Sequence, residues 1–285
     1  LESELLSLSV HGSLPESLGA LVGVKDGRVS WAEDAGLLTG LAGEFELASL
    51  LPLASKGRQT LRFASIRQGD FSTQAGHLSL TYAGERSEAS PLALELTTTA
   101  LGGKVRILVE GRVSDPLSLS IRVLLDAVQL SEMAALFPQF DGRIEGVASG
   151  ELALRLEGTR IVLQPGGVRL VAGKTGRFQY LRQGWLTQDP KLNPETFVEG
   201  RDIVKIMKDP QVAPALTELA MRDLKMSEFR LQIREEADGG KQSVVAEIKG
   251  ERTIKGITVP VVLDVPIRGD VKETIDAVFE FNSRF

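Results

Sequence analysis

The chain has 285 residues, a net charge of -5, 42% hydrophobic and 5% aromatic residues, and 29 glycines. That composition supports a buried core and excludes a disordered chain, and the lack of a basic excess excludes nucleic acid as a partner, because phosphate binding needs a basic face. With two His and no Cys, thiol chemistry is excluded and few ligands remain for a zinc or iron–sulfur centre, so no cofactor and no metal are expected.

The charge-free apolar stretches at 35–43 and 47–55 are about half of the ~20 residues a membrane-spanning helix needs. Further along the chain, alternation dominates. Residues 104–109 put Val105, Ile107 and Val109 on one face, and 117–123 set Leu117, Leu119, Ile121 and Val123 against Ser118, Ser120 and Arg122. The pattern continues with Leu152, Leu154 and Leu156, with Ile161 and Leu163, and with Val168 and Leu170. It returns at Phe229, Leu231 and Ile233, at Val244, Ala246 and Ile248, and at Val261, Leu263 and Val265. Period two with one polar side predicts half-buried antiparallel strands. Asp26-Gly27, Asp115-Pro116, Asp141-Gly142, Gly166-Gly167 and Asp238-Gly239-Gly240 are predicted to be the turns between them.

Helices are expected to be few. Residues 131–137 form a short one that stops before Pro138. Asn193-Pro194 opens a second over 194–208, and Asp209-Pro210 ends it and starts a third over 210–222, so a helical insertion is expected at about 190–225. Asp270, with Glu273 three residues on, caps a C-terminal helix over 271–281. A boundary near 125–140 divides the chain into an N-terminal β-rich segment, 1–125, and a C-terminal β region, 126–285; the alternative is a sheet that continues unbroken across it.

Signals for chemistry are weak. The segment 167–175 nearly reads as a phosphate-binding loop, but Val168 stands where the pattern needs Gly, and Val168, Leu170 and Ala172 alternate as a strand does. The pattern predicts a Gly-Lys-Thr turn instead. Ser149 lacks the spacing of a nucleophile elbow, and His11 and His77 sit in separate strand-like segments with no evident acid partner. Glu235, Glu236 and Asp238 precede Gly239-Gly240 as a solvated acidic hairpin tip. Trp31 and Trp185 read as buried anchors. No enzyme is expected.

An alternating aliphatic face is either sealed, as in a sandwich core, or left open as a trough for a ligand. Leu, Val, Ile and Ala suit acyl chains better than rings or sugars. Exposing two chains of about 15 carbons to water costs on the order of 20 kcal/mol, and a continuous aliphatic gutter cancels most of that.

Two segments carry a resemblance. Over 126–180, Gly142, Ile144 and Gly146, an alternating strand, and then Gly176, Phe178 and Tyr180 resemble the YdbH-like proteins (once labelled "dicarboxylate transport") of the AsmA-like superfamily, which includes TamB-like proteins. Over 215–285, Ile-Lys-Gly is followed by an alternating strand and a candidate terminal helix in a similar order, whereas residues 1–100 match only in style. The resemblance implies a mainly β fold, an extended curled antiparallel sheet with a groove. It also implies a periplasmic, lipid-conducting protein tethered to the inner membrane through an N-terminal segment absent from this chain. Phospholipid acyl chains are then the expected ligand, and a small outer-membrane lipoprotein adding a strand to the sheet edge the expected partner. The candidate groove face is the set Val105, Ile107, Val109, Leu117, Leu119, Ile121, Leu152, Leu154, Leu156, Ile161, Leu163, Val168, Leu170, Leu231, Ile233, Leu263 and Val265. The rival reading is a non-enzymatic assembly module that recruits envelope proteins by strand addition at its sheet edge.

Overall fold

A computed structural model describes residues 5–13, 17–31, 36–50, 53–69, 71–83, 90–113, 116–136, 142–158, 160–180, 213–235, 242–254 and 256–267. The fold is mainly β, every recorded strand pair is antiparallel, and two helices occur among the described residues. The chain separates into two compact units, the first drawn from 1–126 and 150–166, the second from 127–149 and 167–267.

In the first unit, β1 (Leu5–Ser13) pairs with β2 (Ser17–Trp31), and β2 with β3 (Gly36–Leu50). The far side of β3 meets three short pieces in turn, β4 (Leu53–Ser55), β5 (Gln59–Phe63) and β6 (Ser65–Gln68), with β7 (Phe71–Ser72) against β6. From β5 the ladder runs on through β8 (Gly76–Tyr82), β9 (Ser90–Ala100), β10 (Gly103–Val113) and β11 (Ser118–Gln129). Next come β13 (Val147–Glu157) and β14 (Arg160–Leu170). The sheet is open: among the described residues β1 has a recorded register only with β2. Alternating Leu, Val and Ile supply one apolar side per strand, and neighbours in register place those sides together.

The second unit pairs β12 (Gly142–Glu145) with β15 (Gly176–Tyr180), then β16 (Leu224–Glu235), β17 (Gln242–Ile254) and β18 (Ile257–Ile267). The two glycine-rich motifs lie against each other here: Gly142 opposes Tyr180 and Ile144 opposes Phe178. At Gly146 a Cβ would lie 3.4 Å from the Gly176 backbone. Helix α1 (Leu130–Ala135) stands beside β12, and α2 (Ala213–Met221) packs on β15, β17 and β18. Helix α2 buries Ala215, Leu216, Leu219, Ala220 and Met221, and Arg252 donates to the Leu219 carbonyl near its C-terminus, where carbonyls lack helical partners. No helix among the described residues is long and apolar enough to cross a membrane.

The alternating runs lie in strands, and the helices expected at 131–137 and 210–222 correspond to α1 and α2. The helices expected at 194–208 and 271–281, Asp238-Gly239-Gly240 and Trp185 lie outside the described residues. Two expected turns are not turns. Asp26-Gly27 is a bulge inside β2, where Asp26 takes φ 52° and the register to β3 shifts on both sides of Gly27. Gly166-Gly167 lies within β14, where the glycines allow close approach of neighbouring backbones. A Cβ at Gly166 would sit 2.7 Å from the Glu151 carbonyl oxygen, and one at Gly167 would sit 2.5 Å from that of Leu231. The Gly-Lys-Thr segment is a turn, with Gly173 at φ 74° and Lys174 N–H donating to the Val171 carbonyl at 3.0 Å. Trp31 is half-buried, and its Nε1–H donates to Gln68 Oε1 at 2.6 Å.

Candidate functional site: an aliphatic face on the first unit

The register of β5, β8, β9, β10 and β11 builds one apolar face in rows. The first row is Phe63, Gly76, Thr98, Val105 and Leu125. Two residues along each strand, the second is Leu61, Leu78, Leu96, Ile107 and Val123. The third is Gln59, Leu80, Leu94, Val109 and Ile121, and the fourth is Tyr82, Leu92, Gly111 and Leu119. Directly opposed residues of an antiparallel pair share a face, so each row is a line of side chains in contact from strand to strand. Adjacent strands are ~4.8 Å apart, so a five-strand row is about 19 Å long.

Every side chain of the second row is half-buried, as are Leu80, Leu94 and Val109 of the third and Leu92 and Leu119 of the fourth. The opposite side of the same strands is mostly polar: Arg62, His77, Thr97 and Arg106 form one cross-strand line there, which ends at Leu124, and Thr60 and Ser79 share a hydroxyl contact of 3.0 Å in a line that continues through Glu95, Leu108 and Arg122. Segregation of this kind leaves the aliphatic side as the surface suited to an apolar ligand. The face extends towards β3, where a Cβ at Gly43 would lie 2.9 Å from Leu61 Cδ2, and Val22 opposes Phe45 in the β2–β3 pair.

The structure brings Val105, Ile107, Val109, Leu119 and Ile121 into this face. Val105 and Ile121 are buried, at 5% and 8% exposure. Leu117 lies just before β11 and is half-buried, as are Leu152, Leu154 and Leu156 on β13, a strand that pairs with β11. On β14, Leu163 is buried and out of phase with Val168 and Leu170, so one strand cannot present all three on one side. In the second unit Val168 opposes Leu231, and both are buried. Leu263, opposite Ile248, is also buried, in a sheet carrying α2, while Ile233 and Leu170 are half-buried. Ile161 and Val265 occupy strand positions whose side chains are outside the described set. Leu61, Leu78, Leu80, Leu92, Leu94 and Leu96 belong to the face although the candidate set omits them. Their signal was the alternation of 91–96, Pro-Leu-Ala-Leu-Glu-Leu, of 76–82, and, for Leu61, of 59–63.

His77 is exposed on the polar side of β8, Ser149 Oγ accepts from the Ala127 N–H at 2.9 Å, and Glu235 ends β16. A resolved electrostatic shift occurs at Asp223, where the hydrogen bond from Arg177 Nε, 2.6 Å long, holds the carboxyl below the usual range against the opposing effect of partial burial. A second involves Lys249, whose ammonium is held protonated by Glu247 at 2.9 Å and Glu228 at 3.0 Å. Both are surface ion pairs of the second unit.

Fold and face together define an antiparallel β protein with a broad, partly solvent-accessible aliphatic surface. Over residues 25–169, just over half of its length, the chain matches the YdbH-like family, described as "Intermembrane phospholipid transport protein YdbH", and it belongs to that family. The matched span contains β5 and β8 to β11 entire, including residues 25–100, and overlaps the segments that carried the sequence resemblance only over 126–169. No curated protein and no solved structure gave a significant match.

Proposed function

We propose that this chain is a periplasmic phospholipid-conducting segment that holds acyl chains against the aliphatic face of its first unit. The carrying observation is the pair of rows Leu61–Leu78–Leu96–Ile107–Val123 and Leu80–Leu94–Val109–Ile121, aliphatic across adjacent strands and, apart from Ile121, half-buried. Each methylene removed from water contributes about 0.8 kcal/mol without a specific contact, so such a face retains lipid while letting it slide. The family's phospholipid transport supports this reading. We further propose tethering to the inner membrane by a segment outside this chain, and a small outer-membrane lipoprotein as a strand-adding partner at an open sheet edge.

Native mass spectrometry of the purified chain after incubation with phospholipid vesicles, combined with photo-crosslinking by an acyl-labelled phospholipid, tests the central claim. Retained lipid crosslinked to β8, β9 and β10 is the expected result. A chain that retains and crosslinks no acyl lipid overturns it.

A further inference from the structure

The aliphatic side does not stop at the four rows. Gly43, Phe45 and Leu47 alternate along β3, and Gly43 faces Leu61 of the second row. Val10, Ala20 and Leu47 form a cross-strand line over β1, β2 and β3. Leu47 opposes Ser55 on β4, and Leu53 stands two residues from Ser55, so Leu53 and its register partner Leu50 lie on the same side as Leu47.

This extension ends in the open. Val10 is 51% and Leu53 46% exposed, whereas Ala20 is buried and Leu47 and Leu50 are half-buried. Antiparallel order puts the β1–β2 and β3–β4 connections at this one end of the sheet. In sequence they are Leu14-Pro15-Glu16 and Leu51-Pro52, with Glu16 the one charged residue. A proline has no N–H, so it adds no donor that would lack a partner in hydrocarbon. Apolar hairpin ends that continue an acyl-holding face match the hydrocarbon of a bilayer.

Resting on the lipid reading above, we propose that the β1–β4 end of the first unit is a lip that dips into a phospholipid bilayer, with Leu50 and Leu53 entering its hydrocarbon. Acyl chains then pass between bilayer and face without crossing water. A chain leaving a bilayer for a face held clear of it exposes every methylene on the way, whereas a lip in contact covers each one as it leaves. The leucines gain from the same transfer, about tenfold or more in partition for each one fully buried.

The chain has no Cys, so Leu53→Cys and, on the exposed polar side of β8, His77→Cys each take a single environment-sensitive fluorophore. With phosphatidylcholine vesicles bearing nitroxide-labelled acyl chains, the fluorophore at 53 is expected to shift to the blue and be quenched, and the one at 77 to stay as in buffer. The unlabelled Leu50→Asp/Leu53→Asp chain is expected to co-float with phosphatidylcholine vesicles at least about tenfold less than wild type. It is also expected to retain phospholipid supplied in detergent micelles, read by native mass spectrometry. An equal response at 53 and 77, a wild-type chain that does not co-float, or a double variant that co-floats like wild type overturns the lip and leaves the lipid reading standing. Loss of micelle-supplied lipid from a double variant with unchanged circular dichroism also overturns it, because the leucines then belong to the holding face. Should the double variant not fold, the fluorophore pair decides alone. A wild-type chain that retains no lipid from micelles or vesicles overturns the lipid reading, and the lip with it.

Discussion

Leu94 on β9 and Val109 on β10 stand directly opposite each other, both half-buried, with Leu80 completing the contact from β8 and Ile121 from β11. Three of the four keep some solvent contact, while Ile121, at 8% exposure, belongs to the interior. The face is thus a layer whose inner edge is structural and whose remaining side chains are accessible.

That difference separates two substitutions on one row. Leu94→Asp is expected to abolish retention of phospholipid in native mass spectrometry while the far-ultraviolet circular dichroism and the main unfolding transition persist, because a half-exposed carboxylate stays hydrated. Ile121→Asp is expected to destabilise the fold by about 3 kcal/mol or more, because a buried carboxylate has no partner there. Equal loss of stability in both would show that the face is sealed.

The β9–β10 hairpin turns through Leu101 at φ 52° and Gly102 at φ 67°. A left-handed pair of this kind favours Asn-Gly, and leucine is strained there by roughly 1–2 kcal/mol. Leu101→Asn is expected to raise the urea midpoint, with a gain of about 1 kcal/mol and an unchanged slope. A lowered midpoint would mean that the Leu101 side chain contributes packing that outweighs the strain.

Two glycines separate steric from conformational cost. A Cβ at Gly167 meets the Leu231 carbonyl oxygen at 2.5 Å, whereas at Gly173 it meets nothing within 4 Å but φ is 74°. Gly167→Ala is expected to lower stability by roughly 1–3 kcal/mol through forced separation of β14 and β16, and Gly173→Ala by about 1 kcal/mol through strain alone. Denaturant unfolding of the two variants, side by side, checks the order.

Asp223 links acid sensitivity to the second unit. The hydrogen bond from Arg177 lowers its carboxyl pKa in the folded state, so its contribution to stability is present above the unfolded value of ~3.9 and is lost as pH falls through the lower folded value. Carboxyl-carbon NMR is expected to show Asp223 titrating below ~3.9 in the wild-type chain and moving upwards in Arg177→Gln. An unmoved midpoint would show that the pair is not populated in solution.

Much of this was legible in residue order. Leu117, Leu119, Ile121 and Val123 alternate with polar residues, and period two admits no regular structure but a strand with one apolar side. Asp26-Gly27 and Gly166-Gly167 were less legible, since the same dipeptides serve a hairpin, a bulge or a close backbone approach, and the neighbouring strand selects among them. The six leucines of β5, β8 and β9 joined the face through their register with β10, which depends on which strands become neighbours.

Alternation by itself determined that the chain is built of antiparallel strands, each with an aliphatic side. Only the tertiary structure decided what happens to those sides. In the second unit, α2 comes from the distant segment Ala213–Met221 and packs on β15, β17 and β18, and Leu263 of β18 is buried. In the first, five strands in register leave Leu78, Leu96 and Ile107 half-covered. The physical reason is that periodicity fixes the direction of a side chain relative to its own backbone, whereas burial depends on a second surface brought against it by the fold.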